Sequence, residues 1–160
     1  QYDYLDEKVS FFSTLDRTSN ETRQLQSGKD PRAVENYLLD VDKPLVVPED
    51  TKVRLLLTSQ DVIHAWWVPA FGLKKDAIPG TVNEMWFKVK TGKTGVYRGQ
   101  CVELCGRDHG FMPIVVKVVT KDEFKAFVAA QKSAPPASAP AASGAAPTVA
   151  SAGAGTPPRG

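Results

Sequence analysis

Two cysteines, two histidines and two methionines are the whole stock of sulfur and imidazole in this chain of 160 residues. No basic run stands out and the net charge is only +2, which argues against nucleic acid as a partner. No apolar run approaches the ~20 residues that a membrane span needs. The first residue is Gln rather than Met, so an excised fragment or a processed product is expected. Residues 133–160 lack aromatic residues and any periodic apolar face. They are almost wholly Ala, Pro, Ser and Gly, with Arg159 as their one charge, the composition of a disordered tail or linker. Subtracting them leaves residues 1–132 as one folding unit, apolar enough for a real core.

Short strand-like stretches fill that unit. Tyr2, Tyr4, Leu5, Phe11 and Phe12 point to extended segments, whereas residues 20–32 have the composition of a surface loop. Residues 37–42 and 44–48 read as two short strands punctuated by Pro44 and Pro48. Residues 52–58 put Val53, Leu55 and Leu57 on one face. Residues 82–90 and 95–100 follow as strands around Thr-Gly-Lys-Thr-Gly, and Val-rich residues 114–119 form another. One helix is expected. Thr120 caps Lys121 onward with Glu123 three residues later, a capping box, and Phe124, Phe127 and Val128 make a stripe that docks on the sheet. The expectation is an all-β sandwich or barrel with antiparallel Greek-key packing and a short C-terminal helix.

The chemistry is concentrated in residues 100–113, Gln-Cys-Val-Glu-Leu-Cys-Gly-Arg-Asp-His-Gly-Phe-Met-Pro. That loop holds Cys101, Cys105, His109 and Met112, and His64 stands at the end of a strand-like run far upstream. Thiolate, imidazole and thioether form a soft donor set, better suited to copper than to calcium, magnesium or manganese. The spacing Cys-x3-Cys-x3-His-x2-Met lets one tight loop, held by strands at both ends, turn four donors to a common point. Gly106 and Gly110 relax the backbone where it bends. A Cys101–Cys105 disulfide would leave the histidines and Met112 unexplained. A structural zinc site would leave Met112 idle and put three ligands on one loop. A mononuclear blue-copper site needs only one thiolate. Two thiolates favour a pair of copper ions, each taking both sulfurs, one imidazole and one weak donor. Such a centre suits electron transfer and leaves no open position for a substrate, so no catalytic residue is expected.

The loop resembles the binuclear CuA centre of cytochrome c oxidase subunit II. The likeness extends through Tyr37-Leu-Leu-Asp-Val-Asp, Thr58-Ser-Gln-Asp-Val-Ile-His-Ala-Trp, Val68-Pro-Ala-Phe-Gly-Leu-Lys-Lys-Asp-Ala-Ile-Pro-Gly and Tyr97-Arg-Gly-Gln-Cys-Val-Glu-Leu-Cys-Gly, covering roughly residues 2–128. It implies a cupredoxin-like Greek-key β-barrel over residues 1–132. By the same resemblance Cys101 and Cys105 bridge both coppers, His64 and the Glu103 carbonyl complete one, and His109 and Met112 complete the other. The Glu103 carboxylate would reach a magnesium or manganese ion at the boundary with subunit I. Asp61 matches a docking acid for cytochrome c, with Asp3, Asp6 and Glu7 as weaker candidates.

The resemblance further implies that electrons pass from cytochrome c to haem in subunit I, where oxygen is reduced and protons are pumped. The expected setting is a bacterial inner membrane, with the domain facing the periplasm, rather than a mitochondrial one. Two transmembrane helices and a Trp-rich segment that precede this domain in the family are not in the chain, so impaired docking is expected. Trp66 matches a family tryptophan and Trp67 is an addition; both read as packing residues. Two rivals remain. The CuA domain of nitrous-oxide reductase has an aromatic residue where Glu103 stands, and a copper-delivery module needs exchangeable ligands. Quinol-oxidising relatives keep the fold but lose the ligands.

Overall fold

The computed structural model describes residues 1–133; the rest of the expected tail lies outside the described residues. Nine strands run through them: β1 (Tyr2–Tyr4), β2 (Val9–Phe11), β3 (Leu45–Pro48), β4 (Lys52–Leu57), β5 (His64–Val68), β6 (Leu73–Ala77), β7 (Asn83–Lys88), β8 (Gly95–Cys101) and β9 (Pro113–Val119). Helix α1 (Arg17–Thr22) follows β2 and helix α2 (Lys121–Ser133) follows β9. No helix among the described residues is long and apolar enough to cross a membrane.

Five strands form one sheet in the order β3-β9-β8-β5-β6, while β4 pairs with β7 and β1 with β2. The core lies between the five-stranded sheet and the β4–β7 ribbon. Leu45 and Val47, Trp66 and Val68, and Ile114, Val116 and Val118 come from the sheet; Met85 and Phe87 come from the ribbon. Val53, Leu55 and Leu57 pack against them, as the period of two on β4 requires. Val68, Val116 and Val118 are almost wholly buried, each worth about 2 kcal/mol in apolar transfer.

Val46, Val115 and Val119 are buried as well, so β3 and β9 are apolar on both faces. A second cluster of Val9, Phe11 and Val128, packed with Phe124 and Phe127, ties the β1–β2 hairpin to α2. Tyr4 joins both clusters. Its hydroxyl donates to the Val46 carbonyl and accepts from the Val46 N–H, each at 2.8 Å. The capping box closes as the sequence requires: the Glu123 N–H donates to Thr120 Oγ1 at 3.3 Å, and the Thr120 N–H donates to Glu123 Oε2 at 2.8 Å.

The all-β expectation holds, with four departures. β3 and β9 run parallel, with Leu45 opposite Val116, a pairing between distant segments that no local pattern encodes. Residues 37–42 are not a strand, because Asn36 and Leu38 take left-handed φ values of 52° and 60°; only Val41 bridges, to Leu15. Residues 17–22, partly inside the expected loop, are helical. The strand at His64 follows the histidine rather than leading to it, and its hairpin partner β6 went unread.

Candidate metal centre

β8 ends at Cys101 and β9 begins at Pro113, so the loop between them starts and finishes on adjacent, paired strands. The Cys101 N–H donates to the Met112 carbonyl at 3.0 Å and closes the neck of the loop. On the other side β5 pairs with β8, setting Trp66 opposite Cys101, and the Val102 N–H donates to the Ala65 carbonyl at 3.1 Å. His64, the first residue of β5, is thereby held beside Cys101. A Cβ at Gly99 would sit 1.9 Å from the Trp67 carbonyl oxygen, so this approach of β5 to β8 admits only glycine. Gly106 has φ of 122° and turns the loop toward His109. Gly110 has an ordinary φ and open space around it, so the freedom expected of it is not used.

The donors fall into two groups around the thiols. Cys101 Sγ and Cys105 Sγ are 3.9 Å apart, far beyond the ~2.05 Å of a disulfide, and both cysteines are free. Cys101 Sγ lies 3.9 Å from His64 Nδ1 and 3.4 Å from the Glu103 carbonyl oxygen. Cys105 Sγ lies 3.5 Å from His109 Nδ1 and 3.4 Å from Met112 Sδ. The donor atoms of His64, Cys101 and Cys105 lie within 4.8 Å of one another, a group that does not take in His109. Each imidazole thus belongs to a different thiol, unlike a single tetrahedral Cys2His2 site. Soft and borderline donors with one backbone oxygen suit copper and disfavour hard cations.

Burial raises the Cys101 thiol, but hydrogen bonds with the backbone of Ala65 and Glu103 and with His64 outweigh it, leaving it lowered to about 7. Burial and the neighbouring Cys101 push Cys105 up to about 11. Of the two thiols Cys101 is thus the more readily ionised. Burial pulls the His64 imidazole down, yet the Asp61 carboxylate prevails and raises it. Asp61 is in turn held well below the usual carboxylate range, first by its hydrogen bond with His64.

Asp61, expected at a docking face, is mostly exposed and also touches a donor: its Oδ1 is 2.9 Å from His64 Nε2. Ser59, unread in the sequence, donates to the same oxygen at 2.8 Å; the Ser-x-Asp-x-x-His spacing was the available signal. The Glu103 side chain is exposed. Asp3 bonds to Ser10 and Gln1, and Glu7 pairs with Lys132 at 2.9 Å. Trp66 is buried and stacks on Phe87 at 6.4 Å, a packing role as expected; Trp67 is half-buried.

A profile described as cytochrome c oxidase subunit II, periplasmic domain, matches residues 1–119. A probable cytochrome c oxidase subunit 2 from Rickettsia prowazekii is 52% identical over 103 residues, covering 64% of this chain and 32% of that protein. The cytochrome c oxidase subunit 2 of Cereibacter sphaeroides is 39% identical over 138 residues, 79% of this chain and 44% of its own length. The chain thus spans less than half the length of either relative. The crystal structure of the periplasmic domain of subunit II of cytochrome oxidase from Bradyrhizobium japonicum is 45% identical with a TM-score of 0.67, over 82% of this chain and 83% of that one. A mixed-disulfide intermediate between a thioredoxin-like protein and a subunit II is 42% identical with a TM-score of 0.62, over 82% and 81%. The curled sheet and single long helix are those of the cupredoxin-like fold.

Proposed function

Because this chain belongs to the cytochrome c oxidase subunit II family, as its periplasmic domain, we propose that it holds a binuclear copper centre and relays electrons from cytochrome c toward haem in subunit I of a haem–copper oxidase. One observation carries this reading: two thiols 3.9 Å apart, each with its own imidazole and one weak donor. Cys101 and Cys105 would hold the copper pair, His64 and the Glu103 carbonyl would add donors on the Cys101 side, and His109 and Met112 would add them on the Cys105 side. The copper would supply one-electron transfer.

The protein's part is to hold the donors still. The closed neck of the loop, the β5–β8 pairing and the Asp61 hydrogen bond limit rearrangement when an electron arrives. Asp61 presents a carboxylate beside His64 for a basic partner such as cytochrome c. The Glu103 carboxylate offers oxygen to a magnesium or manganese ion at the subunit I boundary. Subunit I reduces oxygen and moves protons, and the membrane attachment lies in the inner membrane with this domain in the periplasm.

The test is the copper-to-protein ratio together with electron spin resonance. Two coppers per chain and one electron shared by two nuclei are expected, and Cys105→Ser should abolish the sharing. One copper with a mononuclear signal, or stoichiometric zinc, would sink the proposal.

The mixed-disulfide relative supports a further step before loading. A disulfide-bearing oxidant can convert Cys101 and Cys105 to a disulfide by exchange, becoming a dithiol itself. A thioredoxin-like dithiol reverses this: its first thiolate attacks one sulfur and releases the other, and its second thiol then resolves the mixed disulfide, leaving two thiols here and a disulfide on the reductant.

A further inference from the structure

Arg23, just past the C-terminus of α1, touches the ligand loop although the two are 85 residues apart in sequence. Its guanidinium carbon lies 4.2 Å from the centroid of the Phe111 ring. Its Nη1 is 3.6 Å from Asp108 Oδ1. Its Nε donates to Asn20 Oδ1 at 2.8 Å, which fixes the plane of the fork. The side chain is only 20% exposed, against 74% for Arg107 on the loop itself. Stacking and ion pairing of a partly desolvated, preoriented guanidinium is the favourable case for both interactions.

The two contacts bracket the donors. Asp108 precedes His109, and Phe111 precedes Met112. Between them the chain makes one 3-10 turn, with the His109 N–H donating to Gly106 at 3.2 Å and the Phe111 N–H donating to Asp108 at 2.9 Å. That turn has no strand of its own, and no other cation–π contact reaches it among the described residues.

The base of the strut is itself anchored. The Asp16 N–H donates to the Asp40 carbonyl at 3.0 Å. The Asp16 carboxylate caps α1 through the Ser19 N–H, and the buried Ser19 hydroxyl accepts from the Leu38 N–H at 3.2 Å. Leu15 bridges to Val41. A polar six-residue helix with no apolar stripe has little reason to persist on its own. Here it delivers one guanidinium to the loop.

We infer that Arg23 is a positioning residue for the His109–Met112 half of the metal centre, clamping the Asp108–Phe111 turn so that both donors face Cys105, while the His64 half is held by β5 and Asp61. This rests on reading the six donors as a copper centre, but it makes a claim about the free protein too.

The test compares Arg23→Ala, Arg23→Lys and Phe111→Leu with the parent chain, by amide hydrogen exchange without metal and by nitrogen hyperfine couplings with copper. In Arg23→Ala the His109 and Phe111 amides should exchange about tenfold faster, with the Val102 amide and the melting temperature unchanged. The imidazole coupling of His109 should change while that of His64 stays. Phe111→Leu, which leaves α1 intact, should give the same one-sided pattern, and Arg23→Lys should restore it partly. Unchanged His109 signals, or equal changes at both histidines, would overturn the inference. A parent chain that takes up no copper pair would sink the copper reading instead, and the exchange experiment would still decide the role of Arg23.

Discussion

The Asp61 carboxylate lies 2.9 Å from Nε2 of His64, and the other nitrogen of that ring faces the Cys101 sulfur at 3.9 Å. The bond fixes which nitrogen is free for a metal, and it sets a negative charge against the far side of the same ring. Asp61→Asn keeps the shape and removes the charge. Copper should be retained and the reduction potential should rise, since the oxidised centre loses an anionic neighbour. Electron uptake from cytochrome c should slow at low ionic strength and match the parent at high salt. Protein-film voltammetry reads the first effect and stopped-flow the second; an unchanged rate at low salt removes Asp61 from the docking face.

Glu103 separates its roles by atom. Its carbonyl oxygen is 3.4 Å from the Cys101 sulfur while its carboxylate stands in solvent. Glu103→Ala should keep two coppers and a nearly native spectrum in the isolated domain. In the assembled oxidase it should lower magnesium or manganese occupancy. Copper loss from the isolated variant would put the carboxylate among the donors.

Gly99 and Gly110 make a matched pair. Adding a methyl at Gly99 drives it into the Trp67 carbonyl, whereas Gly110 has nothing within 4 Å and an ordinary φ. Gly99→Ala should cost about 3 kcal/mol and weaken copper retention, because Cys101 is two residues further along the same strand. Gly110→Ala should be close to neutral. Denaturant midpoints for the two variants check this, and equal midpoints would refute it.

Tyr2 and Tyr4 set a limit at high pH. Burial raises both phenols above their ordinary value of 10.0. Above pH 10 the unfolded chain loses these protons and the folded one keeps them, so stability falls as pH rises. The slope should approach about 1.4 kcal/mol per pH unit for each phenol still protonated. Tyr4→Phe should be less stable at pH 7, having lost both bonds to Val46, yet show a shallower alkaline decline. An unchanged slope in urea titrations between pH 9 and 11 would contradict this.

The sulfur and imidazole cluster was legible because Cys101, Cys105, His109 and Met112 sit within twelve residues, where spacing constrains geometry. The Thr120–Glu123 box was legible for the same reason. What escaped was long-range or polar. β3 and β9 pair across about seventy residues. α1 buries Ser19 and Thr22 rather than leucines, leaving no stripe to read. Residues 37–42 have strand composition, but Leu38 sits in a conformation that breaks a strand. Asp61 was noticed for its charge and missed as the partner of His64, since a strand starting at His64 was needed to aim the ring.

The bond from the Cys101 N–H to the Met112 carbonyl makes residues 101–112 a closed ring whose ends are fixed by the sheet rather than by anything inside it. Natural variation and deliberate exchange can therefore treat that ring as a cassette. Residues between the donors can be rewritten without disturbing the strands, and the ends meet at no added entropic cost. Arg23 is the exception, because a transplanted ring leaves it behind; a graft that carries the loop alone would bring two well-held donors and two loose ones.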